Sequence, residues 1–318
     1  MTSPAESRIQ LANSDLTVFP LNLGGNVFGW TADEQQSFEI LDAYAAAGGD
    51  FVDTADVYSM WAPGNPGGVS EEIIGRWMTA RGNRDEVVVA TKVGGHPDAT
   101  GLSAGAIRKA AEASLRRLAT DHVDLLYTHF DDPSVPVEEF LGELDALVRE
   151  GKVRHIAASN ISAERLEEAL LASDRDGLAR YVAIQPHYNL VSRDTYEGSL
   201  ADSAARHGLA ALPYYALAAG FLTGKYRPGV EVDSPRSGGA GEHLVSARGQ
   251  QVLAALDTVA EKRAVSVTAV ALAWLRAQRT VAAPVVSART VAQLATLLDS
   301  VSLVLDSDEV SLLTAASD

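Results

Sequence analysis

The sequence predicts an α/β fold: a closed (β/α)8 barrel with an N-terminal β-hairpin and a long loop after strand seven. Three observations lead there. Eight short apolar runs of β-like composition recur along the 318 residues. Segments with apolar residues at helical spacing lie between them. The runs are apolar nearly throughout, as strands covered by helices on both faces must be. Eight strand-then-helix units close most economically as a barrel. Length alone allows one large domain or two small ones. No linker and no repeat beyond the βα alternation is found, so one domain over residues 1–318 is expected.

The elements follow in order. Arg8–Leu11 and Thr17–Phe19, joined through Asn13-Ser14-Asp15, read as a hairpin that can plug the barrel bottom. The eight strand runs are Leu21–Gly25, Asp50–Thr54, Glu86–Lys92, Val123–His129, Val153–Ser159, Tyr181–Gln185, Leu209–Tyr214 and Val281–Ser287. Phe38, Leu41 and Tyr44 mark the first helix, and Ile73, Ile74 and Trp77 the second. Ile107, Ala111 and Leu115 mark the third, Phe140, Leu144 and Leu147 the fourth, and Leu166, Ala169 and Leu170 the fifth. Thr31 before Asp33 and Glu34, Ser70 before Glu71 and Glu72, and Ser162 before Glu164 are start signals. Gly48 and Gly151 are C-terminal glycines. Glu231–His243, rich in Gly, Pro and Ser without periodicity, reads as a long mobile loop.

Composition narrows the function classes. Lys plus Arg is 26 and Asp plus Glu is 42, a formal charge of −16. Nucleic acid is bound through Lys and Arg, so it is not an expected partner. Solubility is the plain reading of the acidity, and a local basic pocket for an anionic cofactor remains compatible with it. No apolar run reaches the roughly 20 residues of a membrane span, and the N-terminus lacks a signal-peptide layout. The chain has no cysteine, which excludes disulfides, thiolate catalysis and iron–sulfur ligation. A cytoplasmic location is expected. His122, His155, His187 and His207 form no metal motif, so no metal is expected.

Four residues at the downstream ends of these runs fit one chemistry. Asp53 and Tyr58 lie in Gly-Gly-Asp-Phe-Val-Asp-Thr-Ala-Asp-Val-Tyr (48–58), Lys92 closes the third run and His129 the fourth. In a parallel barrel these ends converge on the face that carries catalysis. Singly, Tyr58 reads as a rim aromatic, Lys92 as a snorkelling strand end, Asp53 and Asp56 as turn caps, and His129 as a core histidine. Together they suit carbonyl reduction, where a nicotinamide gives hydride and the protein gives a proton. Tyrosine is a weak acid, and the Lys92 ammonium is expected to lower its pKa. Asp53 keeps the lysine charged, and His129 can hydrogen-bond the substrate oxygen. No Gly-x-Gly-x-x-Gly follows a strand; the glycines of 24–29 have the wrong spacing, which disfavours a doubly wound dinucleotide fold.

Asp53, Tyr58, Lys92 and His129, in this order and context, resemble the catalytic tetrad of the aldo-keto reductase superfamily. The resemblance continues through Ala-Ser-Asn (158–160), Gln-Pro-His-Tyr-Asn (185–189), Gly-Phe-Leu-Thr-Gly-Lys-Tyr (220–226) and Ser-Ala-Arg-Thr-Val-Ala-Gln-Leu (287–294). It spans about Leu21 to Leu297. It implies a TIM-barrel, NADP(H)-dependent oxidoreductase that reduces an aldehyde or ketone to an alcohol, or the reverse, with Tyr58 as general acid/base. It further implies NADPH extended over the barrel mouth. Ser159, Asn160 and Gln185 would hold the carboxamide and Tyr214 would stack on the nicotinamide. Backbone from Leu217 to Gly220, with Lys225, would follow the pyrophosphate, and Arg236 in the loop would clasp it. Ser287, Arg289 and Gln293 would meet the adenosine end, where Arg289-Thr290 opens a helix suited to phosphate.

The chain departs from the family pattern at Tyr215-Ala216, where Ser-Pro is common, and at Ser287, where glycine is common. Thr296 and Leu297 stand where Glu or Gln and Asn often meet adenine. Trp30, Met60, Trp61 and Phe130, after strands one, two and four, are the expected aromatic substrate pocket, with the 61–69 loop as a second wall. The expected partner is a small carbonyl or alcohol; the oligomeric state is open. One alternative is a cofactor-binding regulatory protein of the same fold with little turnover, as in the potassium-channel β subunits. Another is an unrelated metal-dependent barrel hydrolase or lyase.

Overall fold

The computed structural model describes residues 8–227, 229–230, 232 and 237–318. Its first element is the hairpin, β1 (Ile9–Gln10) antiparallel to β2 (Thr17–Val18). The parallel strands are β3 (Asn22–Gly24), β4 (Phe51–Asp53), β5 (Val88–Val93), β6 (Val123–Thr128), β7 (Val153–Ser159), β8 (Tyr181–Gln185), β9 (Ala210–Ala211) and β10 (Val285–Val286). They pair in sequence, with β10 returning beside β3. The barrel closes between β9 and the approach to β10, where Ala282 N–H donates to the Ala211 carbonyl (2.9 Å) and Val285 N–H to that of Pro213 (2.8 Å).

Two expected strands are cut short, and proline is the reason. Leu209–Tyr214 contracts to Ala210–Ala211, and Val281–Ser287 to Val285–Val286. Pro213 and Pro284 have no N–H to give the ladder.

Helices α1 (Glu34–Ala46), α2 (Val69–Arg81), α3 (Ala104–Arg117), α4 (Val137–Arg149), α5 (Ala163–Asp176) and α6 (Ser199–Arg206) follow β3 to β8 in turn. Asp33 closes a capping box with Gln36 at α1, and Ser162 caps α5. Ser70 does not cap α2: Gly68 holds that position, and Ser70 lies inside the helix. Its buried hydroxyl donates to the Gly25 carbonyl and accepts from Thr54, both at 2.8 Å, fastening α2 to the ends of β3 and β4. At the other end of the barrel, Leu11, Leu16 and Val18 of the hairpin join Phe51, Ala90, Leu125, Ala157 and Ala183 in one apolar cluster. The hairpin therefore does plug the bottom, and chemistry is left to the top.

The segment after β9 is not a bare loop. A short 3-10 stretch (Ala218–Thr223) is followed by α7 (Ser237–Val245), α8 (Ala247–Arg263) and α9 (Val267–Arg276). So residues 237–243 of the expected mobile loop are helical. Tertiary packing overrides their weak propensity: Ala240 is fully buried and the His243 ring lies 5.4 Å from Phe221. Arg236 lies outside the described residues. Then α10 (Val291–Leu298) follows β10, and α11 (Ser307–Ala316) packs on α8 through Arg263 and Lys262, both paired with Glu309. Among the described residues no helix is long and apolar enough to cross a membrane.

Candidate active site

Pairing brings Asp53 of β4 beside Ala90 of β5, and Lys92 of β5 beside Tyr127 of β6. Asp53 and Lys92 thus point into one buried spot. The Lys92 ammonium donates to Asp53 Oδ2 at 2.5 Å, to the Thr54 carbonyl at 2.9 Å and to the Tyr58 hydroxyl at 2.8 Å. The Tyr58 hydroxyl in turn donates to Asp53 Oδ2 (3.2 Å), and Gln185 Nε2 donates to Asp53 Oδ1 (2.8 Å). Each oxygen of the sealed carboxylate has a donor, which is what burying a charge demands. Burial draws the Lys92 pKa down, opposed by Asp53. Burial, and then the Asp53 carboxylate, hold the Tyr58 hydroxyl well above the usual phenol range. The expected lowering by the ammonium is therefore outweighed here, and Tyr58 keeps its proton.

His129 follows β6, its ring 6.1 Å from that of Tyr58. Burial, and then the Lys92 charge, depress the imidazole to about 3, so it is neutral near pH 7. Its Nδ1 is buried without a partner. Asn160, at a left-handed φ of 47°, donates to the His129 carbonyl (2.8 Å) and to Ser159 Oγ (3.1 Å). Ser159 Oγ donates to the Gln185 carbonyl (2.9 Å), and the Tyr214 hydroxyl to Asn160 Oδ1 (2.7 Å). The three residues expected at a carboxamide are thus tied to one another and to the buried carboxylate.

Above these groups lies a cleft of about 620 Å³. Tyr58, His129, Ser159, Asn160, Gln185 and Tyr214 line it at one end. Leu217, Gly220 and Lys225 line one rim, and Ser287, Arg289 and Gln293 the far end. Ala218, Ala219 and Gly220 all have positive φ (47°, 54° and 94°), which for alanine is a strained backbone that turns the rim around the cleft. At the far end Thr290 caps α10, and Gln293 Oε1 accepts from Arg289 N–H (2.9 Å).

Trp30, Trp61 and Phe130 line the cleft near Tyr58 and His129. Trp30 and Trp61 meet edge-on at 5.8 Å, and Phe130 stacks on His129 at 4.3 Å. Met60 does not join them. It is exposed and outside the wall, because the turn closed by Met60 N–H to the Val57 carbonyl, with Ser59 at φ 69°, swings it outward. Of the 61–69 loop, only Trp61 reaches the cleft.

Several wall residues were not foreseen in this role: Asn26, Thr31, Thr223 and Thr268. Asn26 was signalled only by its place after strand one; its Oδ1 accepts from Ser287 Oγ at 2.6 Å. Tyr215 was signalled by its departure from the family pattern.

The electrostatics of the wall are one-sided. In a chain of net charge −16, no Asp or Glu among the described residues lines the cleft, and the fixed charges these residues place on it are Lys225 and Arg289. Neither makes an ion pair among the described residues; Lys225 sits 5.0 Å over the Tyr226 ring. A cleft with two cations unpaired among the described residues, a helix start and an aromatic face fits a dinucleotide carrying phosphates. Among the described residues no group of three or more His, Asp or Glu is placed to hold a metal ion.

Comparison with known proteins agrees with this architecture. The model of the Aldo/keto reductase family matches residues 20–318. An aryl-alcohol dehydrogenase [NADP(+)] of Phanerodontia chrysosporium is 32% identical over 94% of this chain and 82% of its own. A norsolorinic acid reductase of Emericella nidulans is 33% identical, covering 93% and 77%. An uncharacterized oxidoreductase of Bacillus subtilis is 34% identical, covering 94% and 92%.

Proposed function

The chain belongs to the aldo/keto reductase family, and on that premise we propose that it is an NADP(H)-dependent oxidoreductase that interconverts aromatic aldehydes or ketones and their alcohols. The observation that carries this is the buried Asp53–Lys92–Tyr58 cluster, opening beside a neutral His129 into a cleft that no carboxylate among the described residues lines. The NADP preference rests on Lys225 and Arg289 and on the cofactor named for the Phanerodontia relative. The aromatic class rests on the Trp30, Trp61 and Phe130 wall.

The cofactor, when bound, supplies the hydride. Ser159, Asn160 and Gln185 would hold its carboxamide, Tyr214 would cover the nicotinamide, and the 217–220 backbone with Lys225 would follow the pyrophosphate. Arg289 would grip the 2′-phosphate, with Ser287 and Gln293 beside it. The carbonyl oxygen sits between Tyr58 and His129. The imidazole polarises it as a neutral donor, and the Tyr58 hydroxyl gives it a proton. The Lys92 ammonium, 2.8 Å from that hydroxyl, stabilises the tyrosinate that forms. Asp53 keeps Lys92 charged and aimed.

Tyr58→Phe tests this reading. With NADPH and benzaldehyde, turnover is expected to fall about 100-fold or more, the scale of a general acid. The NADPH dissociation constant is expected to change little. Near-native turnover in the variant rejects the mechanism. Tight NADPH binding by the native protein with no turnover across a panel of aromatic and aliphatic carbonyls points instead to a cofactor-binding regulatory protein.

A further inference from the structure

Among the described residues, the large aromatic side chains that stay exposed are Trp61, Phe130 and Tyr215, and all three line the cleft. Apolar surface left open in one patch marks a binding surface. Trp61 and Phe130 belong to the wall beside Tyr58 and His129. Tyr215 comes from another part of the barrel. It follows β9, which β10 and β3 separate from β4, and which β8 and β7 separate from β6. It therefore stands across the mouth from Trp61, which follows β4, and from Phe130, which follows β6.

The backbone, not the side chain, fixes Tyr215 in this place. Its φ is 52°, a conformation that a bulky residue adopts only under strain and that Asn or Gly takes readily. Its carbonyl accepts from Asn189 Nδ2 (2.9 Å) and from Ala218 N–H (2.7 Å), and these bonds hold the turn. Its hydroxyl makes no hydrogen bond among the described residues. The ring meets His187 edge-on at 5.3 Å and tilts against Tyr214 at 5.4 Å. It thus leans to the β8 side of β9, because His187 follows β8, whereas Ser287 and Arg289 follow β10 on the other side. After burial, Asp53 and Tyr127, Tyr215 also raises the Tyr58 pKa, so it lies within electrostatic reach of the reacting end. A strained, half-open aromatic that fills no core and faces the reacting end is placed for a ligand.

We propose that Tyr215 is a specificity-determining residue: with Trp61 and Phe130 it forms an outer aromatic slot that takes the second ring of a two-ring carbonyl, fused or linked, whose carbonyl end meets Tyr58 and His129. This rests on the aromatic carbonyl reading given above and narrows its substrate class to compounds with at least two rings. A single ring that reaches Tyr58 leaves the Tyr215 face in water, and a second ring covers it. One further aromatic contact is worth about 2- to 10-fold in affinity.

The test is calorimetric titration of the protein, saturated with NADP(+), with benzaldehyde and with 2-naphthaldehyde. Cofactor and ligand are then both oxidised, so no hydride moves. The native protein is expected to bind 2-naphthaldehyde about 10-fold more tightly than benzaldehyde, or better. Tyr215→Asn keeps the left-handed turn and removes the ring, and the ratio of the two constants is expected to fall about 2- to 10-fold. Tyr215→Gly, which suits the same φ, takes its place if the Asn variant does not fold. Tyr215→Phe keeps the ring and is expected to hold the native ratio. A native ratio near one overturns the proposal, as does an unchanged ratio in Tyr215→Asn. Weaker NADP(+) binding in that variant at an unchanged ratio would assign Tyr215 to the cofactor instead. Loss of the ratio in Tyr215→Phe would assign the role to the hydroxyl and overturn the slot. No turnover enters the measurement. A protein that shows the ratio but reduces neither aldehyde keeps the slot and loses the reductase reading, and one that reduces both without the ratio does the reverse.

Discussion

The floor of the cleft and its far rim are both built around cations, yet they are opposite constructions. At the floor, Lys92 is almost fully buried and spends its hydrogen bonds on Asp53, Thr54 and Tyr58. At the rim, Lys225 and Arg289 line open space without an ion pair among the described residues. The first site is complete inside the protein; the second is complete only with an anion. Removing a floor charge therefore strikes the fold and the chemistry together, whereas removing a rim charge strikes only binding.

The largest effect tests the floor. Lys92→Met leaves the Asp53 carboxylate buried beside Gln185 and Tyr58 without its counter-ion. Breaking such a pair costs about 3–5 kcal/mol of stability, measured by urea unfolding, and turnover is expected to drop by at least about 100-fold. Adding Asp53→Asn removes the stranded charge, and Gln185 can still donate to the new amide oxygen. The double variant should regain most of the stability and none of the turnover. Unchanged stability in Lys92→Met would erase the distinction between floor and rim.

The rim is tested by Arg289→Ala. A hydrogen-bonded guanidinium–phosphate contact is worth about 1.5–3 kcal/mol, so the NADPH dissociation constant should rise about 10-fold or more. Binding of NADH, which lacks the 2′-phosphate, should change little, and unfolding should shift by no more than about 0.5 kcal/mol. Equal weakening toward both cofactors would move the 2′-phosphate contact elsewhere on the rim.

The same contrast governs what could be read from the chain. An Asp, a Lys or a His at the end of an apolar run is out of place by composition alone, so the floor was visible residue by residue. The (β/α)8 order was visible for the same reason, since the apolar runs and helical spacings repeat. The rim depended on resemblance, because Arg289 or Lys225 alone is indistinguishable from a solvated surface charge. Tyr215 enters the wall through a left-handed φ of 52° that nothing in its neighbours announces. Met60 was misplaced because one turn decides which way it faces. In α8 the spacing of Val252, Leu256 and Val259 was available to be read, but it follows an aperiodic stretch that masked the start.

The smallest effect concerns the adenine end, where the wall is least committed. Thr296 and Leu297 line the cleft there. The Thr296 hydroxyl turns back on its own helix, donating to the Ala292 carbonyl at 3.3 Å, and Leu297 has no polar atom to offer. Neither side chain is set to meet the base. Thr296→Gln supplies an amide on a longer stem without adding charge to the wall. One new hydrogen bond contributes a net ~0.5–1.5 kcal/mol. NADPH and NADH affinities should therefore both improve by about 2- to 10-fold, because the adenine is common to the two, while turnover at saturating cofactor stays unchanged. Fluorescence titration with each cofactor reads this directly. A gain confined to NADPH would place residue 296 beside the 2′-phosphate instead of the base, and no gain with either would mean that adenine does not reach this part of the cleft.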